Sequence, residues 1–378
     1  MKTVLVRAYT YCNLGDDLFL KVLVERYPEI QFTIIAPKLY EKIFKQYENV
    51  FIKQIPSSPL FKKIVMKIVG LFSISKKETY VLNIIKNFYS KEAKFVDAYI
   101  YIGGSLFMQK NEKINLIDIL NKEITNIFHD KKKFVIGANF GPYLTVSYLD
   151  FYKKHLLDYD DVCFREKYSK DIFKDLLNVR NCPDVVFQLK LPVVRKEEGS
   201  IGFSLMDISW RKELSQYEGS YLSFIKELIS KALDDDRGVY LFSFCADEGD
   251  EKVISRIVES FPLKFRNKIG VIRYDGEIDK FLSLYSKVES MFATRFHSMI
   301  LSSLLGQNIF PIMYSEKMNN VLKDFNYKGT YSKISDLGRL NPSECLKNII
   351  NNRLEISSSI IEKSKGNFLF VDKYINNL

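Results

Sequence analysis

The chain has 378 residues, 47% of them hydrophobic and 14% aromatic, and a formal net charge of +10. Such a length suits two domains of ordinary size, and such an apolar content excludes global disorder. The positive balance asks for an anionic partner: a phosphorylated substrate, an acidic glycan or anionic lipid. No arginine-rich stripe, zinc-ligand spacing or recognition-helix pattern occurs, so no nucleic-acid partner is expected. Val4-Leu-Val is a first short strand, followed by the turn Asn13-Leu-Gly-Asp-Asp17 and a helix from about Asp16 to Arg26 with Leu20, Leu23 and Val24 at helical spacing. Phe32 to Ala36 and Val50 to Ile52 read as the next strands, with a helix from Tyr40 to Tyr47 between them. This alternation predicts a parallel α/β sheet.

Residues 53 to 94 interrupt the rhythm with nine lysines, no arginine and only two acids. Ser58-Pro59 is a helix start, after which Phe61, Ile64, Val65, Ile68, Val69 and Phe72 share one face and Lys62, Lys63 and Lys67 the other. Two readings stand: a helix packed on its own domain, or peripheral contact with an anionic membrane through 58–72. The sheet resumes at Ala98 to Ile102, Lys133 to Ala138, Asp161 to Phe164 and a short Asp184 to Phe187. After the Pro- and charge-containing linker near 193–199 the design repeats: Ile201 to Leu205, a helix Tyr221 to Leu233, Val239 to Phe244, Ile269 to Arg273, Met291 to Ala293 and Asn308 to Met313.

The expected architecture is two Rossmann-like parallel-sheet lobes facing a cleft. An N-terminal lobe covers 1–195, a C-terminal lobe 196–350, and a helical tail 351–378 crosses back to the first lobe. Five scattered cysteines without a CxxC pair point away from disulfides and zinc and towards a reducing cytosol. Neither metal nor cofactor is expected. The opening apolar run breaks at Arg7, too early for a signal peptide, and no stretch approaches 18 uncharged apolar residues. The expectation is a cytoplasmic protein, with a peripheral place at the inner face of a membrane left open.

Chemistry is expected first at Arg295 and His297, where a strand runs into a helix that stops at Gly306. Arg offers a planar fork for a carboxylate or phosphate, His moves protons near neutral pH, and the helix N-terminus with Ser298 favours an anion. The competing reading is a structural ion pair and a cap. Further strand-end turns carry Asn13, Gly15 and Asp16, then Gly103 and Gly104, then Arg165, and finally Tyr314 and Lys317. Each has helix capping or a plain turn as its alternative. Asp184 reads as structural. His129 and His155 read as solvated, and Asp234-Asp-Asp236 as surface.

Taken in order, the blocks Asn13-Leu-Gly-Asp16, Gly103-Gly-Ser-Leu-Phe107, Gly137-Ala-Asn-Phe-Gly-Pro142, Phe164-Arg-Glu-Lys-Tyr-Ser169, Pro183-Asp-Val-Val-Phe187, Ile201-Gly-Phe-Ser204, Thr294-Arg-Phe-His-Ser298 and Pro311 to Lys317 resemble the polysaccharide pyruvyl transferase family. Phe296 stands where that family more often shows Leu, and Ala138-Asn139 replaces a more usual polar pair. The resemblance implies a fold like GT-B glycosyltransferases. It also implies transfer of pyruvate from phosphoenolpyruvate to a sugar of a surface polysaccharide or its lipid-linked precursor, as a ketal, with phosphate released. On that reading His297, Arg295 and Asp16 are catalytic candidates. Arg165, Asn13, Gly15, Gly103, Gly104, Ser298, Tyr314 and Lys317 are the substrate-binding ones. A GT-B glycosyltransferase using a nucleotide sugar is the alternative, for which Glu316 and Asp324 have the spacing of a paired-acid motif. A non-catalytic binder of anionic glycan is a third.

Overall fold

A computed structural model describes residues 1–56, 74–109 and 111–377. The basic helix expected over 58–72 lies outside the described residues. The chain divides into two compact units. One comprises Met1–Thr10, Phe19–Val185 and Lys363–Leu378, and the other Tyr11–Leu18 and Val186–Glu362.

The first unit holds a seven-stranded sheet of β1 (Thr3–Arg7), β2 (Gln31–Ile35), β3 (Val50–Lys53), β4 (Ala98–Ile102), β5 (Lys132–Ala138), β6 (Asp161–Phe164) and β7 (Val179–Asn181). Its order is β3-β2-β1-β4-β5-β6-β7, with every pairing parallel. All five residues of β4 are buried, as a strand covered on both faces requires. Ring packing fills one face: Tyr99 stacks on Phe128 at 4.8 Å, and Phe140 meets Phe173 edge-on at 4.7 Å. Each such buried side chain contributes about 1.5–3 kcal/mol.

His155, expected in solvent, is buried among Phe151, Tyr152 and Tyr159, because the last turn of the Val146–His155 helix faces this aromatic core. The expected strand at Asp184 to Phe187 is instead a 3-10 turn over Val185–Gln188. β7 is the sheet edge and, among the described residues, no further strand pairs there, so the apolar run is buried without a ladder. The C-terminal segment packs on this same unit. Asp372 accepts hydrogen bonds from Arg26 Nη2 (2.8 Å) and Tyr27 Oη (2.6 Å), while Asn367 Nδ2 donates to the Pro183 carbonyl (2.6 Å).

The second unit holds a six-stranded parallel sheet of β8 (Glu197–Ser204), β9 (Val239–Ser243), β10 (Ile269–Arg273), β11 (Val288–Ala293), β12 (Asn308–Met313) and β13 (Ser332–Lys333), in the order β10-β9-β8-β11-β12-β13. Phe203 and Phe292, paired across β8 and β11, stack at 5.2 Å. The chain enters this unit at Val186, before the 193–199 linker, because Phe187 already packs on Phe325. Strand order reverses between β1 and β4 in one sheet and between β8 and β11 in the other. Ligands of open α/β sheets collect at the strand carboxyl ends beside such switch points. Among the described residues no helix is long and apolar enough to cross a membrane.

Candidate active site

In the second unit the carboxyl ends of β8, β9 and β11 converge. Ser204, closing β8, receives the backbone N–H groups of Thr294 (3.0 Å) and Arg295 (3.2 Å) on its hydroxyl, which fixes the turn leaving β11. Arg295 then stands as N-cap, in extended backbone, of the Phe296–Leu304 helix. Its guanidinium is 7% exposed and held by two carboxylates: Nε and Nη2 donate to Asp250, and Nη1 donates to Glu248. Asp250 Oδ2 also accepts the N–H groups of Phe244 (3.0 Å) and Cys245 (3.1 Å), so it organises the loop after β9 as well. Burial raises the Asp250 carboxyl above its ordinary value against the pull of Arg295. Burial would raise Glu248 too, but Arg295 and Asn13 outweigh it and lower the group. Arg295 was expected as a clamp on an incoming anion. In the structure it is also the cation of an internal ion cluster with Glu248 and Asp250.

Asn13 Nδ2 donates to Glu248 (3.1 Å), while Asn13 Oδ1 accepts the Gly15 N–H (3.0 Å). The Leu14–Arg26 helix therefore begins against the same cluster, and Leu14 N donates to the Phe244 carbonyl at 3.0 Å. A methyl carbon built on Gly15 would fall 1.9 Å from His297 Nδ1. The imidazole thus lies against the bare backbone of Gly15, which explains why that position lacks a side chain. Asp16 is half-buried on this first turn, whereas Asp17 is fully buried and accepts from Tyr274 Oη at 2.6 Å. Ser298, expected at a ligand, turns its hydroxyl into the core, 2.8 Å from Tyr285 Oη, because it lies on the buried face of its helix. Lys317 Nζ sits 5.4 Å from the Phe296 ring and 5.2 Å from that of Tyr314. An aliphatic residue at 296 would give Lys317 no such aromatic face.

The first unit gathers a second set. Arg165 follows β6, donates Nη1 to Asp184 (3.0 Å) and Nη2 to Asn139 (2.7 Å), and is 5% exposed. A methyl carbon on Gly104 would stand 2.6 Å from Arg165 Nη1, so the guanidinium lies on that glycine. Gly103, at φ 143°, donates to the Ile136 carbonyl (3.2 Å) and ties the turn to β5. Asp184 is thus an arginine's partner as well as a turn residue.

With both clusters described, the comparison with known proteins is direct: residues 13–316 match the polysaccharide pyruvyl transferase family. This chain belongs to that family. The sequence blocks quoted above fall into both units. Asn13 to Asp16, Ser204, Thr294 to Ser298 and Tyr314 to Lys317 lie in the second unit; Gly103-Gly104, Asn139, Arg165 and Asp184 lie in the first. As a pyruvyl transferase family member the chain is a transferase of polysaccharide modification. No characterised protein matches it by sequence at a significant level. Among solved structures it is similar to the S. aureus MnaA-UDP co-structure, at 10% identity and TM-score 0.60 over 100% of this chain and 98% of that one. It is also similar to UDP-GlcNAc 2-epimerase from Methanocaldococcus jannaschii (12%, 0.59, 99% and 100%) and to Anabaena Alr3699/HepE in complex with UDP and glucose (9%, 0.53, 100% of both). At these identities the likeness establishes the GT-B-like fold and nothing finer.

Sequence reasoning missed Glu248, Asp250 and Asn139. The first two sit in Phe244-Cys-Ala-Asp-Glu-Gly-Asp250, an acidic, glycine-containing turn directly after a strand. That is the same signal that drew attention to the other turns.

Proposed function

We propose that the chain moves the pyruvate unit of phosphoenolpyruvate onto a sugar of a surface polysaccharide or its lipid-linked precursor. One sugar hydroxyl attacks the enol carbon that bears the phosphate while a proton is delivered to the CH₂, which becomes a methyl group. A second hydroxyl then displaces phosphate from the same carbon and closes the ketal. The observation that carries this reading is the His297 imidazole against Gly15 at the start of the Leu14–Arg26 helix, with Asp16 on the same turn. A proton donor and a carboxylate base are what the addition requires. His297 is assigned the proton transfer to carbon and Asp16 the sugar hydroxyl. Arg295, three of whose five N–H donors serve Glu248 and Asp250, is assigned to the donor carboxylate through the two that remain. Tyr314 and Lys317 are assigned to the phosphate. Arg165 on the first unit is assigned to a further anionic or hydroxyl group of the substrates, with Asn13, Gly103 and Gly104 shaping the turns.

A nucleotide-sugar reading draws on the UDP in the MnaA and HepE structures. Its paired-acid support is weak. Glu316 and Asp324 are the first and last residues of one helix, so they stand about 12 Å apart along its axis. The test supplies phosphoenolpyruvate with a panel of glycolipid acceptors and follows phosphate release and the mass of the product. Ketal formation that vanishes in His297→Ala, with the melting temperature retained, is expected. Full activity in that variant, or transfer of a sugar from a nucleotide instead, sinks the reading.

A further inference from the structure

Beside the Arg295 cluster, the second unit carries a group of cations and rings that the mechanism above uses only in part. Arg211, on the loop after β8, lies with its guanidinium carbon 4.7 Å from the Trp210 ring and 4.9 Å from the Tyr314 ring. Its Nε is shut off from solvent and has no hydrogen-bond partner, and no carboxylate lies within ion-pair distance of Arg211 among the described residues. Buried donors are nearly always satisfied, so one left over at a strand end calls for an explanation.

A second unsatisfied group accompanies it. Ser315 is the N-cap of the Glu316–Asp324 helix, yet its hydroxyl makes no capping bond and is buried without a partner. Lys317, on the first turn of that helix, brings its ammonium to 5.2 Å from the Tyr314 ring. Burial alone would raise the Tyr314 phenol. Lys317, Arg211 and Arg295 outweigh it and bring the group below its ordinary value. Glu248 is taken by Arg295 and Asn13, and Glu316 is exposed, bonding Asn319 and lying near Lys333.

We propose that Arg211, beside the rings of Trp210 and Tyr314, forms a phosphoryl-binding site with Ser315 and Lys317. A guanidinium edge accepts two phosphate oxygens side by side, an ammonium balances the second negative charge, and a hydroxyl with helix N-terminal amides completes the shell. The inference rests on the reading above only for the source of the phosphoryl group. It shifts the main phosphate ligand to a residue that sequence reasoning did not single out. Phe296, which carries Lys317 on its ring, also packs against His297 at 5.1 Å, so the site adjoins the proposed proton donor.

Trp210 is the chain's only tryptophan, so its emission reports on this site without labelling. The experiment titrates the intact chain with inorganic phosphate, phosphoenolpyruvate and UDP, following tryptophan emission and, in parallel, heat of binding. Sodium chloride of matched ionic strength is the control. Saturable change with phosphate and phosphoenolpyruvate is expected, weakened about tenfold or more in Arg211→Met and less in Arg211→Lys. Undiminished binding in Arg211→Met, no response to any of the three probes, or an equal response to sodium chloride overturns the site. Should Arg211→Met fail a melting check, Ser315→Ala carries the same test, with loss of affinity expected and unchanged affinity overturning it. Binding of UDP alone, lost in Arg211→Met, would keep the phosphoryl site and sink the phosphoenolpyruvate reading. Phosphate binding in a His297→Ala chain that makes no ketal separates this site from the proton chemistry.

Discussion

The two units each hold a buried arginine on the turn that leaves a central strand, and they neutralise it differently. Arg165 in the first unit meets the Asp184 carboxylate and the Asn139 amide. Arg295 in the second meets two carboxylates, one of which also anchors two backbone N–H groups. The second arrangement makes the arginine part of an acidic frame that fixes the β9 and β11 turns relative to one another. Attraction for an anion in the second unit therefore draws on other cations besides the two remaining donors of Arg295, which is why Arg211 and Lys317 matter there.

The comparison predicts unequal costs when the acids are removed. Asp250→Ala strands Arg295 with Glu248 alone and orphans the Phe244 and Cys245 amides, so a loss of about 4–5 kcal/mol in urea unfolding is expected. Asp184→Ala removes a single partner and should cost about 3 kcal/mol. Equal costs, or losses under about 1 kcal/mol in both, would show that neither cluster is as desolvated as its burial implies.

A smaller effect on stability, with a large one on rate, is expected at the two glycines. Neither Gly15 nor Gly104 has a positive φ, so the backbone of each tolerates alanine. What the methyl meets is a functional side chain: the His297 ring in one unit and the Arg165 guanidinium in the other. Gly15→Ala should fold and lower phosphoenolpyruvate-dependent phosphate release about 100-fold, since the imidazole must swing away. In Gly104→Ala the longer arginine can give way, and about a tenfold loss is expected. Rates near wild type in Gly15→Ala would remove His297 from the chemistry even if the fold is unchanged.

How much of this was legible in the sequence follows from distance along the chain. Alternating strands and helices, the return of the C-terminal tail to the first unit, and the strand-end turns at 13–16, 103–104, 165 and 295–297 were all readable, because period and local turn chemistry reveal them. The pairing of Gly15 with His297 was not, since 282 positions separate them and only tertiary contact explains the missing side chain. Arg295 looked like an open anion clamp because Glu248 and Asp250, its partners, lie on a different strand-end loop. Ser298 misled for another reason. Next to a reactive dipeptide in sequence, it is a third of a turn away on the helix and faces Tyr285. His155 was misjudged because Lys153 and Lys154 beside it suggested solvent, while its own position faces the rings of the core.

The smallest expected effect extends the contrast to the thiols. In the second unit burial pushes Cys12 and Cys245 up to about 12, and neighbouring acids reinforce it: Asp17, Asp275 and Asp247 around the first, Glu248 near the second. In the first unit Cys182 is lowered below its ordinary value. A hydrogen bond from the Cys163 thiol is the largest cause, with Arg180, whose Nη1 lies 3.3 Å from the sulfur, adding to it against burial. A thiol lowered on folding stabilises the protein fully above its unfolded value near 9, and the contribution is lost as pH falls through the folded value. Iodoacetamide followed by peptide mapping should therefore modify half-buried Cys182 first, with its rate half-maximal below pH 8.5. Cys163→Ala, which removes the hydrogen bond, should move that midpoint upward. If Cys12 reacts ahead of Cys182, the acidic character assigned to the second unit and the basic character assigned to this edge of the first are both wrong, because a thiolate forms where the surrounding charge is positive.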